Sequence, residues 1–201
     1  MAKKRRRNRP ELKYEFKPDP KGTTFLKRLY MTRLQRLQLL KWGLYALLTV
    51  FLLVIQDVIL SQFRLSGATT DLVVCIILLI GIYEGIENGG LFTLIASTFY
   101  WFSGSAPGPY VIALLSILTI GVTLFRHSFW RRGFGSTTLC TGIAIMVYEM
   151  TLFVIGMASG LTIWARAGVF LLTGVMTVLV ALPLYPLVNA IAKIGGDTWK
   201  E

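Results

Sequence analysis

The stretch that decides the fold reads RAGVFLLTGVMTVLVALPLYPLVNAIA and occupies residues 166–192. After Arg166 it contains no charged residue, and it is longer than the roughly 20 residues that a helix needs to cross a bilayer. Further apolar runs precede it, at residues 41–60, 72–87, 89–103, 109–127 and 134–157. The sequence therefore predicts an all-α polytopic membrane protein with about six transmembrane helices. Two of the runs, 72–87 and 89–103, are short, and we expect that pair to be tilted, re-entrant or shielded by its neighbours.

The composition of the whole chain agrees with this interpretation. Of the 201 residues, 54% are hydrophobic and 15% are charged, whereas about a quarter of a soluble domain is charged. The apolar runs leave no room for a separate soluble domain. The composition therefore argues against an ordinary cytosolic enzyme and favours a small membrane protein with a basic extension.

The basic residues divide the chain into four regions. Residues 1–24 are predicted to form a disordered basic tail, residues 25–40 an amphipathic helix in the headgroup layer, residues 41–192 the transmembrane domain, and residues 193–201 a short cytoplasmic tail. Basic residues of the tail and the amphipathic helix are expected to contact anionic lipid, which lies closer to them than any nucleic acid. They are Lys3, Lys4, Arg5, Arg6, Arg7, Arg9, Lys27, Arg28, Arg33 and Arg36.

The distribution of Lys and Arg also predicts an orientation in the membrane. Residues 1–41 carry 14 of the 21 basic residues, and the loop around 126–132 carries three more. The two loops predicted on the opposite side carry only Arg64 and Arg166. Because cytoplasmic loops are enriched in Lys and Arg, we expect both termini to be cytoplasmic.

Catalytic and metal-binding patterns are not found in the sequence. Cys75 and Cys140 both lie in apolar runs, outside any Cys-x-x-Cys pattern, and are interpreted as small buried hydrophobic residues. The single histidine, His127, cannot form a metal site with such partners. Walker, Gly-x-Ser-x-Gly and His-Glu-x-x-His patterns are absent. We therefore predict a protein that is not an enzyme and that binds no metal or other cofactor.

Polar residues within the apolar runs have more than one interpretation. Asp57, Glu84 and Glu87 are predicted to lie at helix ends, and Gln56 to hydrogen-bond between helices. Glu149 lies near the middle of its run, where a lipid-facing carboxylate is costly. It is expected either to be protonated and bonded within the bundle or to contact a partner.

Glycines recur every four positions at Gly81, Gly85 and Gly89, and Gly90 follows. Small residues let helix backbones approach closely in lipid. Tight packing inside the protein and a binding groove are both compatible with this spacing. As a partner-binding site we predict Gly81, Gly85, Gly89, Gly90 and Glu149, with the glycines receiving a partner's single spanning helix.

Several short motifs in residues 41–192 carry a resemblance to a known family. They are Gln56, Thr70-Asp71-Leu72, Gly81-Ile82-Tyr83-Glu84-Gly85, Asn88-Gly89-Gly90-Leu91, Ser103-Gly104-Ser105-Ala106-Pro107-Gly108, the basic loop with Arg126, Arg131 and Arg132, and Leu182-Pro183-Leu184-Tyr185-Pro186-Leu187. In these motifs the chain resembles the rod shape-determining protein MreD family. An Asp closes the third span in that family, and the corresponding place here lies near Tyr100, to which no role is carried over.

The resemblance implies a non-enzymatic scaffold of the cell-elongation machinery in the bacterial cytoplasmic membrane. It implies an MreC-like partner, and a link from MreB filaments to two peptidoglycan synthesis enzymes, a SEDS glycosyltransferase and a class B transpeptidase. The family is also similar in fold to the substrate-binding S-components of energy-coupling-factor transporters. The alternative function is therefore a small-molecule subunit that binds a vitamin near the outer face.

Overall fold

The computed structural model describes residues 33–60, 67–129 and 133–195, and within these ranges it contains helices and no strand. The helices are α1 (Arg33–Val58), α2 (Leu72–Glu84), α3 (Ile86–Phe102), α4 (Tyr110–Phe129), α5 (Phe134–Ala158) and α6 (Ala167–Ala192), with short 3₁₀ turns at Trp164–Arg166 and Lys193–Gly195. The chain is thus an all-α polytopic membrane bundle, as the sequence predicts.

Helix length separates the six helices into two groups. Four segments are long and apolar enough to cross a membrane: Gln35–Val58, Tyr110–His127, Phe134–Ala158 and Trp164–Ala192. Helix α2 has only 13 residues and α3 only 17, in the two places where the sequence predicts short runs. An α-helix rises 1.5 Å per residue, so α2 is about 20 Å long, shorter than the roughly 30 Å hydrocarbon layer.

The short helix α2 forms the centre of the bundle. It packs against α1, α3, α4, α5 and α6, and residues 73–80 are fully buried. Its sequence, LVVCIILLIGIYE, is apolar around the whole circumference, which is typical of a helix that is buried on every side. Because protein rather than lipid surrounds α2, its shortness leaves no backbone group exposed to hydrocarbon.

Successive helices run in alternating directions, so the bundle has two ends. Asp71, which precedes α2, contacts Tyr100 near the end of α3 and Thr177 of α6, and we call this the Asp71 end. Glu84, at the other end of α2, contacts Lys41 near the start of α1, and we call this the Glu84 end.

The outer surface of the bundle is apolar. Large hydrophobic side chains project outward from the four long helices and from α3, among them Leu47 on α1, Phe99 on α3 and Ile117 on α4, the last two 67% exposed. Soluble monomers do not expose apolar surface on this scale, whereas a lipid bilayer covers it.

Helix α1 joins two of the regions that the sequence separates. It begins at Arg33 and continues without interruption past residue 40, so residues 33–40 are the first turns of the helix that contains the first apolar run. The sequence RLQRLQLLK holds no Gly or Pro that would end a helix there. Residues 1–32, including the basic tail and the first half of the predicted amphipathic helix, lie outside the described ranges.

Candidate functional site

A group of polar side chains surrounds the start of α2, and we call it the Asp71 cluster: Gln56, Asp71, Tyr100 and Thr177. The Asp71 carboxylate caps α2 by accepting a hydrogen bond from the Val74 N–H at 3.2 Å. Its second oxygen, Oδ2, accepts a hydrogen bond from the Tyr100 hydroxyl at 2.9 Å. The Asp71 N–H donates to Thr177 Oγ1 at 3.1 Å, which ties the start of α2 to α6.

Gln56 completes the cap from the neighbouring helix. Its Oε1 accepts a hydrogen bond from the Val73 N–H at 2.9 Å, so the predicted hydrogen bond between helices is confirmed. The Gln56 side chain also lies beside the Asp71 carboxylate and the Tyr100 hydroxyl. Two of the first N–H groups of α2, which have no partner within the helix, are therefore satisfied by side chains.

Tyr100 gains a role that sequence reasoning missed. Residue 100 is a buried tyrosine, and its hydroxyl donates a hydrogen bond to the carboxylate of Asp71, the residue that caps the start of α2. An Asp directly before an apolar run is a helix N-cap signal, and it could have identified Asp71. Nothing in the sequence indicates that residue 100 is its partner, because the pairing depends on how α3 folds back along α2.

The Tyr100 hydroxyl gives a direct test of the cluster. Replacing Tyr100 with Phe removes the donor to a carboxylate in the bundle interior, so we expect a loss of about 1.5–3 kcal/mol of stability. Tyr110→Phe is the matched control, because Tyr110 is partly exposed at the start of α4. The measurement is the unfolding midpoint of the two purified variants in detergent. Equal midpoints would show that the Tyr100–Asp71 hydrogen bond adds nothing to stability.

The Asp71 cluster lies well inside the bundle. Thr177 is ten residues beyond Ala167, the first residue of α6, which corresponds to a depth of about 15 Å along that helix. The backbone of residues 69–71 is not helical at this depth. Irregular backbone within a membrane occurs where protein encloses it or where it lines a polar cavity.

Two polar side chains of α5 adjoin the cluster without bonding to it. Glu149 is 3% exposed, lies beside Gly174 of α6 and is within electrostatic range of Asp71. No hydrogen bond or ion pair among the described residues involves its carboxyl group. The Tyr148 hydroxyl is fully buried, has no hydrogen-bond partner and is within electrostatic range of both carboxyl groups. The structure thus shows Glu149 neither hydrogen-bonded in the bundle nor exposed to an outside partner.

A buried ion pair marks the opposite end of α2. Lys41 Nζ lies 2.6 Å from Glu84 Oε2, and the Tyr45 hydroxyl donates to Glu84 Oε1 at 2.7 Å. Arg126 donates from Nη1 to the Ile82 carbonyl at 2.7 Å. Cations beside the last carbonyls of a helix are favoured by its dipole. Both ends of α2 are therefore fixed by side chains from other helices.

The four glycines of the predicted partner site do not form one surface. A Cβ atom on Gly89 would overlap the backbone carbonyl of Gly81, and a Cβ on Gly81 would meet the Thr93 and Thr119 side chains. Gly81 and Gly89 are thus in contact with each other in the interior, where α2 and α3 cross. Gly85 forms the turn between these helices with φ +95°. Gly81 and Gly89 are therefore buried against each other and offer no surface to a partner helix. Gly85 lies in the turn.

Most of the predicted basic contacts fall where the structure gives no description. Lys3, Lys4, Arg5, Arg6, Arg7, Arg9, Lys27 and Arg28 lie outside the described residues. Arg33 begins α1, and Arg36 is exposed one turn later at the Glu84 end. Within the described ranges no group of three or more His, Cys, Asp or Glu residues is placed to hold a metal ion.

An open groove runs along the outer surface between α5 and α6. It has a volume of about 830 Å³ and extends over residues 139–154 of α5, a length of about 24 Å. Its lining is mostly apolar and also includes Gly142 and Thr151. The lining residues are Leu139, Gly142, Ile143, Met146, Val147, Met150, Thr151, Val154, Val175, Val178 and Leu179.

Comparisons with protein-family models, with curated proteins and with solved structures found no match to this chain. The resemblance to the MreD family, and through it to S-components, therefore stays a prediction from the sequence motifs.

Proposed function

We propose that the chain is a non-enzymatic membrane scaffold of the bacterial cell-elongation machinery. In this proposal it binds the spanning helix of an MreC-like protein and links MreB filaments to a SEDS glycosyltransferase and a class B transpeptidase. The sequence motifs of residues 41–192 suggest the family. The groove between α5 and α6 is the observation that carries the proposal. It runs lengthwise along the bundle surface, and apolar side chains make up most of its lining.

The dimensions and lining of the groove suit a helix from a partner. Its length of about 24 Å approaches the roughly 30 Å hydrocarbon layer that a single spanning helix crosses. Association of helices in lipid depends on close packing, and Gly142 lies in the groove where α5 meets Val178 of α6. Thr151 adds a side chain able to hydrogen-bond across an interface.

The same proposal places the Glu84 end in the cytoplasm of a bacterial cell. Lys41 and Arg126, which belong to the two most basic stretches of the sequence, both contact α2 at this end. Under the positive-inside rule both chain termini are then cytoplasmic. The basic tail would there reach anionic lipid and cytoplasmic filaments.

Filling the groove tests the proposal. Val147 lies in the groove and is 45% exposed, so Val147→Trp should occupy the partner's place and reduce co-purification of the MreC-like protein at least tenfold. Ile117→Trp is the matched control, because Ile117 is exposed on α4, away from the groove. The measurement is a mild-detergent pull-down from native membranes, with partners quantified by mass spectrometry.

Two results would contradict the scaffold. Recovery of the MreC-like protein in equal amounts with both variants would exclude the groove as its binding site. Recovery of a transmembrane coupling subunit with a pair of ATPases, and of no elongation protein, would instead favour the vitamin-binding S-component alternative.

A further inference from the structure

A second groove on the bundle surface follows the first half of α1, and we call it the α1 groove. It has a volume of about 500 Å³, and the described residues that line it are Arg36, Leu39, Leu40, Gly43, Leu44 and Leu47. Their spacing of three and four residues places them along one face of the helix. Among these six residues only Arg36 is charged, and it lies at one end of the groove.

The α1 groove covers half the thickness of a membrane. From Arg36 to Leu47 the helix rises about 16 Å, close to half of the roughly 30 Å hydrocarbon layer. The spanning segment of α1 is Gln35–Val58, so Arg36 lies at its start and Leu47 at its middle. Arg36 also lies about 7.5 Å further out than Lys41, which binds Glu84 at the Glu84 end. The groove therefore extends from the headgroup layer to the middle of the bilayer, within a single leaflet.

Gly43 leaves a gap in the row of leucines that lines the groove. A Cβ atom on Gly43 would have no described atom within 4 Å, so packing inside the bundle does not require a glycine at this position. Glycine is also a poor helix former. Leu40 and Leu47, on either side of the gap, are both exposed. The gap therefore opens outward, and an apolar chain can lie there directly against the helix backbone.

The charged end of the groove determines the chemistry of its occupant. The Arg36 side chain is exposed at the headgroup level, and a guanidinium group binds phosphate through parallel N–H donors. A phospholipid carries its phosphate at this depth and an acyl chain through the rest of the leaflet. Basic side chains at a membrane surface attract lipids with a net negative charge. An anionic phospholipid thus matches both the charged end of the groove and its apolar length.

A protein occupant fits the α1 groove less well. A spanning helix crosses the roughly 30 Å hydrocarbon layer, and the groove between α5 and α6 comes closer to that length. A second copy of the chain, packed symmetrically on the same face, would place two Arg36 side chains opposite each other. Like charges in such close positions repel, so this arrangement is disfavoured.

We infer that the α1 groove binds one anionic phospholipid molecule from the leaflet at the Glu84 end. The lipid phosphate pairs with Arg36, and one acyl chain lies over Gly43 and reaches Leu47. This site goes beyond the scaffold function and does not depend on it, because α1 alone supplies the described lining. It also differs from a general attraction of basic residues to the membrane, since it holds a single lipid by shape as well as by charge.

Lipid retention by the purified full-length chain tests this inference. The chain is mixed in detergent with equal amounts of phosphatidylglycerol and phosphatidylcholine that carry identical acyl chains. It is then passed through size-exclusion chromatography in about 0.5 M NaCl, which screens lipid held only by surface charge. Mass spectrometry of the retained lipid should give about one phosphatidylglycerol per chain, with about a fivefold preference over phosphatidylcholine.

Two results with the wild-type chain would overturn the inference. Equal retention of the two lipids would mean that the groove does not select a negative charge. Displacement of phosphatidylglycerol by an equal concentration of glycerol 3-phosphate would mean that a free phosphate group, and not a lipid, is the ligand.

Variants locate the lipid on α1. Arg36→Gln should abolish the preference for phosphatidylglycerol, whereas the control Arg166→Gln removes one exposed basic residue at the Asp71 end and should keep it. Gly43→Leu should lower the retained lipid at least about fivefold, because its side chain occupies the place of the acyl chain. Gly121→Leu is the matched control, since Gly121 is exposed on α4 and a Cβ there also has no described atom within 4 Å.

The variants can also refute the site. Lipid retention and preference that are unchanged in both Arg36→Gln and Gly43→Leu would place the lipid elsewhere on the protein. A wild-type dimer that Gly43→Leu converts to a monomer would show that a second copy of the chain, and not a lipid, covers the α1 groove.

Discussion

Replacing Gly89 with alanine is expected to destabilise the bundle by about 3 kcal/mol, although alanine is the better helix former. In an exposed helix the exchange would gain about 1 kcal/mol. Here the new Cβ would overlap the carbonyl oxygen of Gly81, an atom of the backbone that cannot rotate away. The two helices would have to separate, and α2 would lose contact along its whole antiparallel pairing with α3.

Gly90→Ala provides a matched control one residue further along the same helix. A Cβ on Gly90 would have Ile120 Cγ1 as its nearest neighbour at 3.8 Å, an ordinary van der Waals distance. This variant should be neutral or slightly stabilised. The measurement is the apparent melting temperature of both variants, followed by size-exclusion chromatography after heating in detergent. We expect Gly89→Ala to melt roughly 10 °C lower and Gly90→Ala to match the wild type. Equal melting of the two would show that α2 and α3 do not approach at Gly89.

Lys41→Met is expected to cost about 3–5 kcal/mol, because it removes one partner of a buried ion pair and leaves the other unpaired. Both Lys41 and Glu84 are buried, and the 2.6 Å contact between them joins α1 to the end of α2. The Tyr45 hydroxyl would remain bonded to Glu84, but a neutral donor does not balance the charge.

The double variant Lys41→Met with Glu84→Gln separates charge from packing. Removing both charges together should recover most of the loss, since neutral pairs of similar volume often replace buried ion pairs without penalty. The measurement is a double-mutant cycle on unfolding midpoints, with exposed Glu87→Gln as the control that should change stability little. Additive losses in the double variant would mean that Lys41 and Glu84 act independently.

The sequence predicts the helices well, because the long apolar runs hold few charged residues and Gly, Pro or charged residues lie near their ends. Helix α5 is predicted at 134–157 and found at Phe134–Ala158, and α6 is predicted at 166–192 and found at Ala167–Ala192. Local composition determines these bounds, so no knowledge of the tertiary structure is needed.

The turn between α2 and α3 shows where local reasoning fails. Asn88-Gly89-Gly90 is a typical turn sequence, and the third run is predicted to begin there. In the structure Gly85 alone makes the turn, and α3 already begins at Ile86. Gly89 serves the contact with Gly81 instead, a role that depends on which helix lies opposite.

The pairing of the buried polar residues could not be predicted from the sequence for the same reason. Lys41 and Glu84 are 43 residues apart in the chain, and Asp71 and Tyr100 are 29 apart. A single sequence indicates that each residue is polar in an apolar setting, which singles it out as a candidate. It carries no information on the partner, since that depends on how the five other described helices are arranged around α2.

The enclosure of the short helix α2 has a consequence for how the protein is made. A helix of about 20 Å cannot cross the hydrocarbon layer alone, and its ends would expose unsatisfied backbone groups to lipid. Helix α2 must therefore enter the membrane as a hairpin with α3, turned at Gly85, and the hairpin becomes stable only when the later helices α4, α5 and α6 close around it. Nascent chains that end before α6 should consequently fail to retain α2 in the bilayer and be recognised by membrane quality control.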